Sequence, residues 1–321
     1  MLNRRFLRVK VLQELYAYHQ AQETNISQAE RQLLKDIDGL YELFIYLLSF
    51  WVEVKRFADQ RIEENRHKIF PTEEDLNPNL KFISNRILNV LENNKHLQQL
   101  EQSYKINWGD DRDDFIRAFY GRMKEYPEYQ EYMRNGKDSF EDDRKFLVAI
   151  IDNHMAEDDL LYDYFSDRKL GFNSDYQIDL YLLWKFISEM RASFNEESKL
   201  PPVYVTENRE VNEDKEFAVN LFRKTILHRD EFKELVDSNA ANWDYGRLAL
   251  MDRILIFMAL TEFCDFHSIP VKVTINEYVE ISKFYSTAES RRFVNGILDS
   301  IAKKLAEDGK LVKTGLGLVD K

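Results

Sequence analysis

The chain's sharpest pattern with a possible chemistry is Asp110-Asp111-Arg112-Asp113-Asp114. Asp110, Asp111 and Asp114 fit a DDxxD arrangement. There, carboxylates on one helix face hold Mg²⁺ bridged to a diphosphate, because hard cations take oxygen ligands. That chemistry needs a second acidic motif on a facing helix. Only Glu141-Asp142-Asp143 and Glu157-Asp158-Asp159 are candidates, and neither has the spacing. Short acidic clusters ordinarily open solvated helices, and that reading is preferred here. The six histidines (His19, His67, His96, His154, His228 and His267) are scattered, with no HExxH pair and no metal spacing to Cys264. No Gly-rich phosphate loop of the GxGxxG or GxxxxGK[ST] type occurs. The expectation is a protein without catalytic residues, metal or cofactor.

Binding chemistry is better represented. Arg4, Arg5 and Arg8 crowd the start of the chain, and Ser290-Arg291-Arg292 opens its last amphipathic run. Free N–H groups and the dipole at a helix start favour a phosphate. Leu7, Val11, Leu15 and Tyr18 share one face of a helix over about 5–20. Arg4 and Arg8 fall on the same stripe. An arginine is not buried without a partner, so the first turn is expected to project beyond the core and hold all three guanidinium groups at an exposed end. An ordinary solvated basic terminus is the other reading of the same residues.

The elements that would position these groups lie mainly between Asn242 and Leu305. Pro270 ends the apolar run through Phe266 near His267. Thr274-Ile275-Asn276-Glu277 has capping-box spacing, as does Ser286-Thr287-Ala288-Glu289. Asn276 and Glu277 then read as first-turn residues and Glu280 as structural. Phe293, Ile297 and Ile301 form an i, i+4 series in the last helix, with Val294, Leu298 and Leu305 beside it. Gly296 inside that helix predicts a close neighbouring backbone, since glycine there costs about 1 kcal/mol against alanine. Trp243 reads as junction core and Cys264 as a small core residue.

Upstream, residues 27–70 predict one or two long helices, apolar nearly all round in LYELFIYLLSFWVEVKRF and so interior. Residues 79–105 predict a further helix, 107–114 a loop and a new helix start, and Asn135-Gly136 a turn. More helices follow near 144–165 and 175–194. Residues 195–213, with Pro201-Pro202, read as a linker. DRKFLVAIIDNHMAEDDLLYDYF from Asp143 aligns without gaps to DKEFAVNLFRKTILHRDEFKELV from Asp214. This is either a decayed duplication or two amphipathic helices sharing a period.

Among 321 residues, only 10 Gly and 6 Pro interrupt a composition that is 44% hydrophobic, which predicts an all-α protein. No run reaches the roughly 18 apolar residues of a membrane span, and neither a signal peptide nor a disulfide is expected. These features predict a cytoplasmic setting. The net charge of −12 argues against a protein that coats nucleic acid by itself. Residues 25–213 hold 25 Lys and Arg against 38 Asp and Glu, so the acidity is confined to the middle of the chain.

LMDRILIFMALTEF, IPVKVTINEYVEISKFY and SRRFVNGILDSI resemble, in that order, the C-terminal half of the NusB family of bacterial transcription antitermination factors. NRRFLRVKVLQELYAYHQ resembles that family's Arg-rich first helix. The resemblance covers roughly residues 3–22 and 214–305. It implies a two-part NusB-like helical bundle divided into a first helix at 1–24, an acidic helical insertion at 25–213, a C-terminal core at 214–305 and a polar tail at 306–321. The implied function is non-enzymatic RNA binding in transcription antitermination on ribosomal RNA operons. Implied partners are single-stranded boxA-type RNA, the small-subunit ribosomal protein also called NusE, and other elongation factors in the RNA polymerase complex. The implied RNA-contacting residues are Arg4, Arg5, Arg8, Tyr16, Glu289, Ser290, Arg291 and Phe293. Each has a structural alternative: Glu289 as a capping acid, Phe293 as core, Tyr16 at a helix interface. A helical interaction scaffold without RNA binding, and more remotely a prenyl or terpene synthase-like enzyme, are the competing functions.

Overall fold

The computed structural model describes residues 4–204, 213–239 and 248–318. In chain order these contain α1 (Arg4–Gln20), α2 (Ile26–Arg66), α3 (Glu73–Leu76), α4 (Arg86–Asn93), α5 (Lys95–Tyr104), α6 (Arg112–Glu125), α7 (Pro127–Arg134) and α8 (Phe140–Asn153). Then come α9 (Asp159–Arg168), α10 (Phe172–Glu189), α11 (Glu213–Leu227), α12 (Arg229–Asn239), α13 (Leu250–Asp265), α14 (Val271–Tyr285) and α15 (Ala288–Glu307). No β-strand occurs among the described residues, and the protein is all-α as its composition predicts. None of these helices is long and apolar enough to cross a membrane.

Two compact units divide the chain: Met1–Ile37 with Tyr204–Lys321, and Asp38–Val203. The first is built around α13, which touches α1, α11, α12, α14 and α15. Its sequence explains that position. Ile254 to Leu260 is an unbroken apolar run, so no face of the helix can be left in water, and every residue of it is buried. The three polar side chains buried in α13 each have a partner. Thr261 donates back to the Phe257 carbonyl, Asp252 accepts from the Ser286 hydroxyl, and Glu262 is saturated by donors from α1 and α14. Past α15 the chain returns to the end of α13, where the Lys313 ammonium donates to the carbonyls of Glu262 and Phe266. Burial lowers its pKa.

The second unit holds the long aromatic stretch of α2. Tyr46, Phe50 and Trp51 meet Trp108, Phe115, Phe119, Phe165 and Phe172 in a continuous ring cluster. Residues 79–105 are not one helix: Asn94 accepts from the Leu97 N–H at 2.8 Å and starts α5 afresh, while Asn85 caps α4. An asparagine whose side chain satisfies free N–H groups resets a helix that periodicity alone would continue. The linker residues 195–204 are tied to this unit, since Asn94 donates to the carbonyls of Asn195 and Ser198, and Tyr41 to that of Pro201.

Three local expectations change. α14 starts at Val271 with Pro270 at its cap, so Thr274 is inside the helix and its buried hydroxyl donates to Glu262 at 3.1 Å rather than forming a capping box. α15 is capped by Thr287, one residue later than expected, with the Ser290 N–H donating to its hydroxyl at 3.2 Å. Gly296 lies on the exposed side of α15 with no atom near where a side chain would stand, so no close backbone explains it. Trp243 and residues 205–212 lie outside the described residues.

Candidate nucleic-acid interface

Two helices of the first unit run side by side in the same direction and set out the candidate surface. Arg5 of α1 meets Glu277 of α14, and Gln13 meets the Tyr285 hydroxyl eight residues further along both. Tyr16, just past Gln13, therefore sits toward the end of α14 from which the chain turns into α15.

Arg8 does not stand on this surface. It is 3% exposed and forms two parallel hydrogen bonds to Glu262, at 2.6 and 2.8 Å. The expectation of a projecting first turn fails because the partner that burial requires is supplied by α13, 254 residues away in sequence. The same carboxylate accepts from Tyr278 at 2.7 Å and from Thr274, so its lone pairs are fully used. Burial would drive the guanidinium toward neutrality, but the Glu262 charge and hydrogen bonds outweigh it and hold the pKa above the ordinary arginine value. Tyr278, wholly buried beside the Glu262 charge, is pushed far up.

Arg5 and Arg4 are nearer to solvent, each side chain about 40% exposed. Arg5 is held bidentate by Glu277 at 2.8 and 2.7 Å, a hydrogen-bonded pairing that raises its pKa. Arg4 reaches Asp214 at the start of α11 at 3.3 Å, with its guanidinium 5.1 Å over the Phe217 ring. Glu280, one turn past Glu277 on α14, pairs with Lys283. Its carboxylate is held below the usual range first by the hydrogen bond from Lys283 and then by the charges of Arg5 and Arg291. The sequence put Asn276, Glu277 and Glu280 down as structural; two of them interleave with the arginines and leave the surface close to charge balance.

At the start of α15, Glu289 and Arg292 are exposed, and Ser290 is half-buried with its N–H on the Thr287 cap. Arg291 is half-buried, its Nε shielded from solvent and without a hydrogen-bond acceptor among the described residues. Phe293 is 9% exposed, on the inner side of the helix with Val294 and Ile297. Tyr16 is 36% exposed, its hydroxyl accepting from Gln20 at 2.9 Å. The structure therefore leaves Arg5, Arg291, Ser290, Glu289 and Tyr16 exposed or half-buried, while Arg8 and Phe293 are buried. Reading the sequence for cations alone missed the counter-ions Glu262 and Glu277. An acid interrupting the apolar run of α13 was the signal available.

The acidic clusters have other work. Asp111 accepts from Arg168, Arg112 of the same cluster pairs with Glu53 and Asp113, and Asp114 pairs with Arg117. Asp142 and Asp143 bind Lys81 and Arg86, and Asp158 caps α9 while accepting from Arg122. Among the described residues no group of three or more His, Cys, Asp or Glu side chains is placed to hold a metal.

A sequence model of the NusB family matches residues 176–303, which takes in most of α10 and the three C-terminal motifs quoted above but not the Arg-rich first helix. Three curated relatives carry the name transcription antitermination protein NusB. That of Dehalococcoides mccartyi is 36% identical over 103 residues, which is 72% of its length. The chain belongs to the NusB family. Its relative from Salinibacter ruber is 44% identical over 105 residues, and that from Chloroherpeton thalassium 38% identical over 106. The chain spans 66% and 50% of those two NusB proteins, and each match uses 33% of this chain. No solved structure matches it.

Proposed function

We propose that the first unit of this NusB-family chain binds single-stranded RNA of the boxA type and acts in transcription antitermination on ribosomal RNA operons. The observation that carries this reading is the start of α15, where Arg291 and the exposed Arg292 stand in the first turns beside Ser290, with Arg5 of α1 about 40% exposed as a further cation of the same unit. Arg291 supports it further, since its shielded Nε has no hydrogen-bond acceptor among the described residues and a phosphate would supply one. In this reading Arg5 and Arg291 contact phosphate, Arg4 extends the surface, and Glu289 and Ser290 reach base edges or sugar. Tyr16 offers a ring face, while Arg8 and Phe293 support the surface from below. A few arginines interleaved with Glu277, Glu280 and Glu289 give modest affinity. That favours action with a second RNA-binding surface, the small-subunit ribosomal protein implied by the resemblance.

Fluorescence anisotropy with a boxA-like RNA, with and without that ribosomal protein, tests the proposal. Arg5→Ala with Arg291→Ala is expected to weaken binding at least tenfold while leaving the far-ultraviolet dichroism unchanged. Unaltered binding in the double variant removes the site. Absence of RNA binding with and without the partner leaves the helical-scaffold reading in its place.

A further inference from the structure

Phe284 is the most exposed aromatic ring of the first unit among the described residues, with 83% of its surface in solvent. A phenylalanine in that position gains nothing for the fold. The neighbouring Tyr285 is half-buried and bonded to Gln13, and Ile281 is buried, so α14 is already anchored on both sides of the ring. Val273, Glu277, Glu280 and Phe284 recur at helical spacing along one stripe of α14. Phe284 therefore lies one turn beyond Glu280 on the stripe that also carries Glu277, the partner of Arg5. It is also four residues before Ala288, the first residue of α15. A flat apolar ring thus stands in water at the edge of a cationic helix start.

We infer that Phe284 is a stacking platform for one unpaired base of a single-stranded RNA whose backbone lies along Arg5, Arg291 and Arg292. The inference rests on the function proposed above and adds a contact to it. Three observations favour a base over a protein side chain. The ring is isolated rather than part of an apolar patch, the groups around it are charged, and the adjoining arginines can hold the phosphates on either side of a splayed base. Stacking needs a π-face and no hydrogen bond, so it is tolerant of base identity; arginines alone would hold the strand without fixing where a base sits.

The experiment uses the full chain and an RNA oligomer carrying a single 2-aminopurine, moved along the sequence one position at a time. Anisotropy gives the affinity and quenching of the 2-aminopurine reports stacking. With wild type, one position is expected to be quenched on binding. Phe284→Ala is expected to abolish that quenching and to weaken binding roughly 5- to 150-fold, the range for loss of one stacked base. Phe284→Leu, which keeps apolar bulk without a ring, is expected to behave like Phe284→Ala, and Phe284→Trp to restore both readouts. Because the residue is exposed, all three variants are expected to keep the wild-type melting temperature. Wild-type binding that is unchanged in Phe284→Ala, or restored by Phe284→Leu, overturns the stacking role and leaves the RNA site standing. Failure of wild type itself to bind RNA overturns both.

Discussion

Replacing Arg8 by alanine removes one half of a buried ion pair and leaves the Glu262 carboxylate with only the hydroxyls of Thr274 and Tyr278. Breaking such a pair costs about 3–5 kcal/mol because a charge remains buried without its counter-ion. Arg8→Ala is therefore expected to lower the unfolding free energy in urea by that much, and Glu262→Gln by a smaller but still large amount. A loss below about 1 kcal/mol in Arg8→Ala would place the guanidinium in solvent instead. Glu14, 8% exposed in α1, is the opposite case. Burial first and the Asp36 charge second push its pKa up to about 7. A carboxyl whose pKa is raised on folding adds stability below its unfolded value, and that contribution fades as pH rises through the folded one. Between pH 5 and pH 8 the wild type is expected to lose at most about 3 kcal/mol from this group. Glu14→Gln should match wild type at pH 5 and exceed it at pH 8; parallel stability curves would refute the shift. Both buried groups show what sequence reading leaves out. That Arg8 needs a partner was legible in its place on the apolar stripe of α1. Which residue supplies it was not, because the pair closes across most of the chain.

At the scale of elements, apolar periodicity reveals helices more readily than it reveals their ends. The long α2, the largely apolar α13 and the amphipathic α15 follow from the residues alone. Starts depend on one side chain reaching one N–H, so a shift by a single residue changes which substitution matters. Thr287 caps α15 and Ser286 instead donates to the buried Asp252. Thr287→Ala is expected to cost about 1 kcal/mol, and Thr287→Asp, which keeps an acceptor at the cap, to cost little. Ser286→Ala is expected to cost about 1–3 kcal/mol, since it takes a donor from a buried carboxylate. Thermal unfolding of the three variants decides the assignment: a tolerated Thr287→Ala beside a rescuable Ser286 would return the cap to Ser286. The echo between residues 143 and 214 also acquires a structural content. Asp143 and Asp214 are both buried near the start of their helices, α8 and α11. Each accepts from the arginine that begins another helix, Arg86 of α4 and Arg4 of α1. Two helix pairs thus share one way of joining their ends.

For the molecule as a whole, charge decides what kind of RNA binding is available. The chain carries −12, and its middle residues hold the excess acid. Phosphate is therefore repelled in general and accepted only where cations outnumber acids locally. In the proposed site those cations are Arg5, Arg291 and Arg292, with Glu277 and Glu280 among them. About three phosphates neutralised on a single strand give a slope of log affinity against log salt near −2, from roughly −0.7 per contact. Anisotropy titrations between about 50 and 300 mM salt should return that shallow slope for wild type, and a slope shallower by roughly 0.7 in Arg292→Ala. A slope of −5 or steeper would mean that the RNA lies on a larger basic surface than the first unit presents beside α15. A shallow slope with high affinity would instead shift the weight of recognition from phosphate to base contacts, which an acidic protein can make without gathering positive charge.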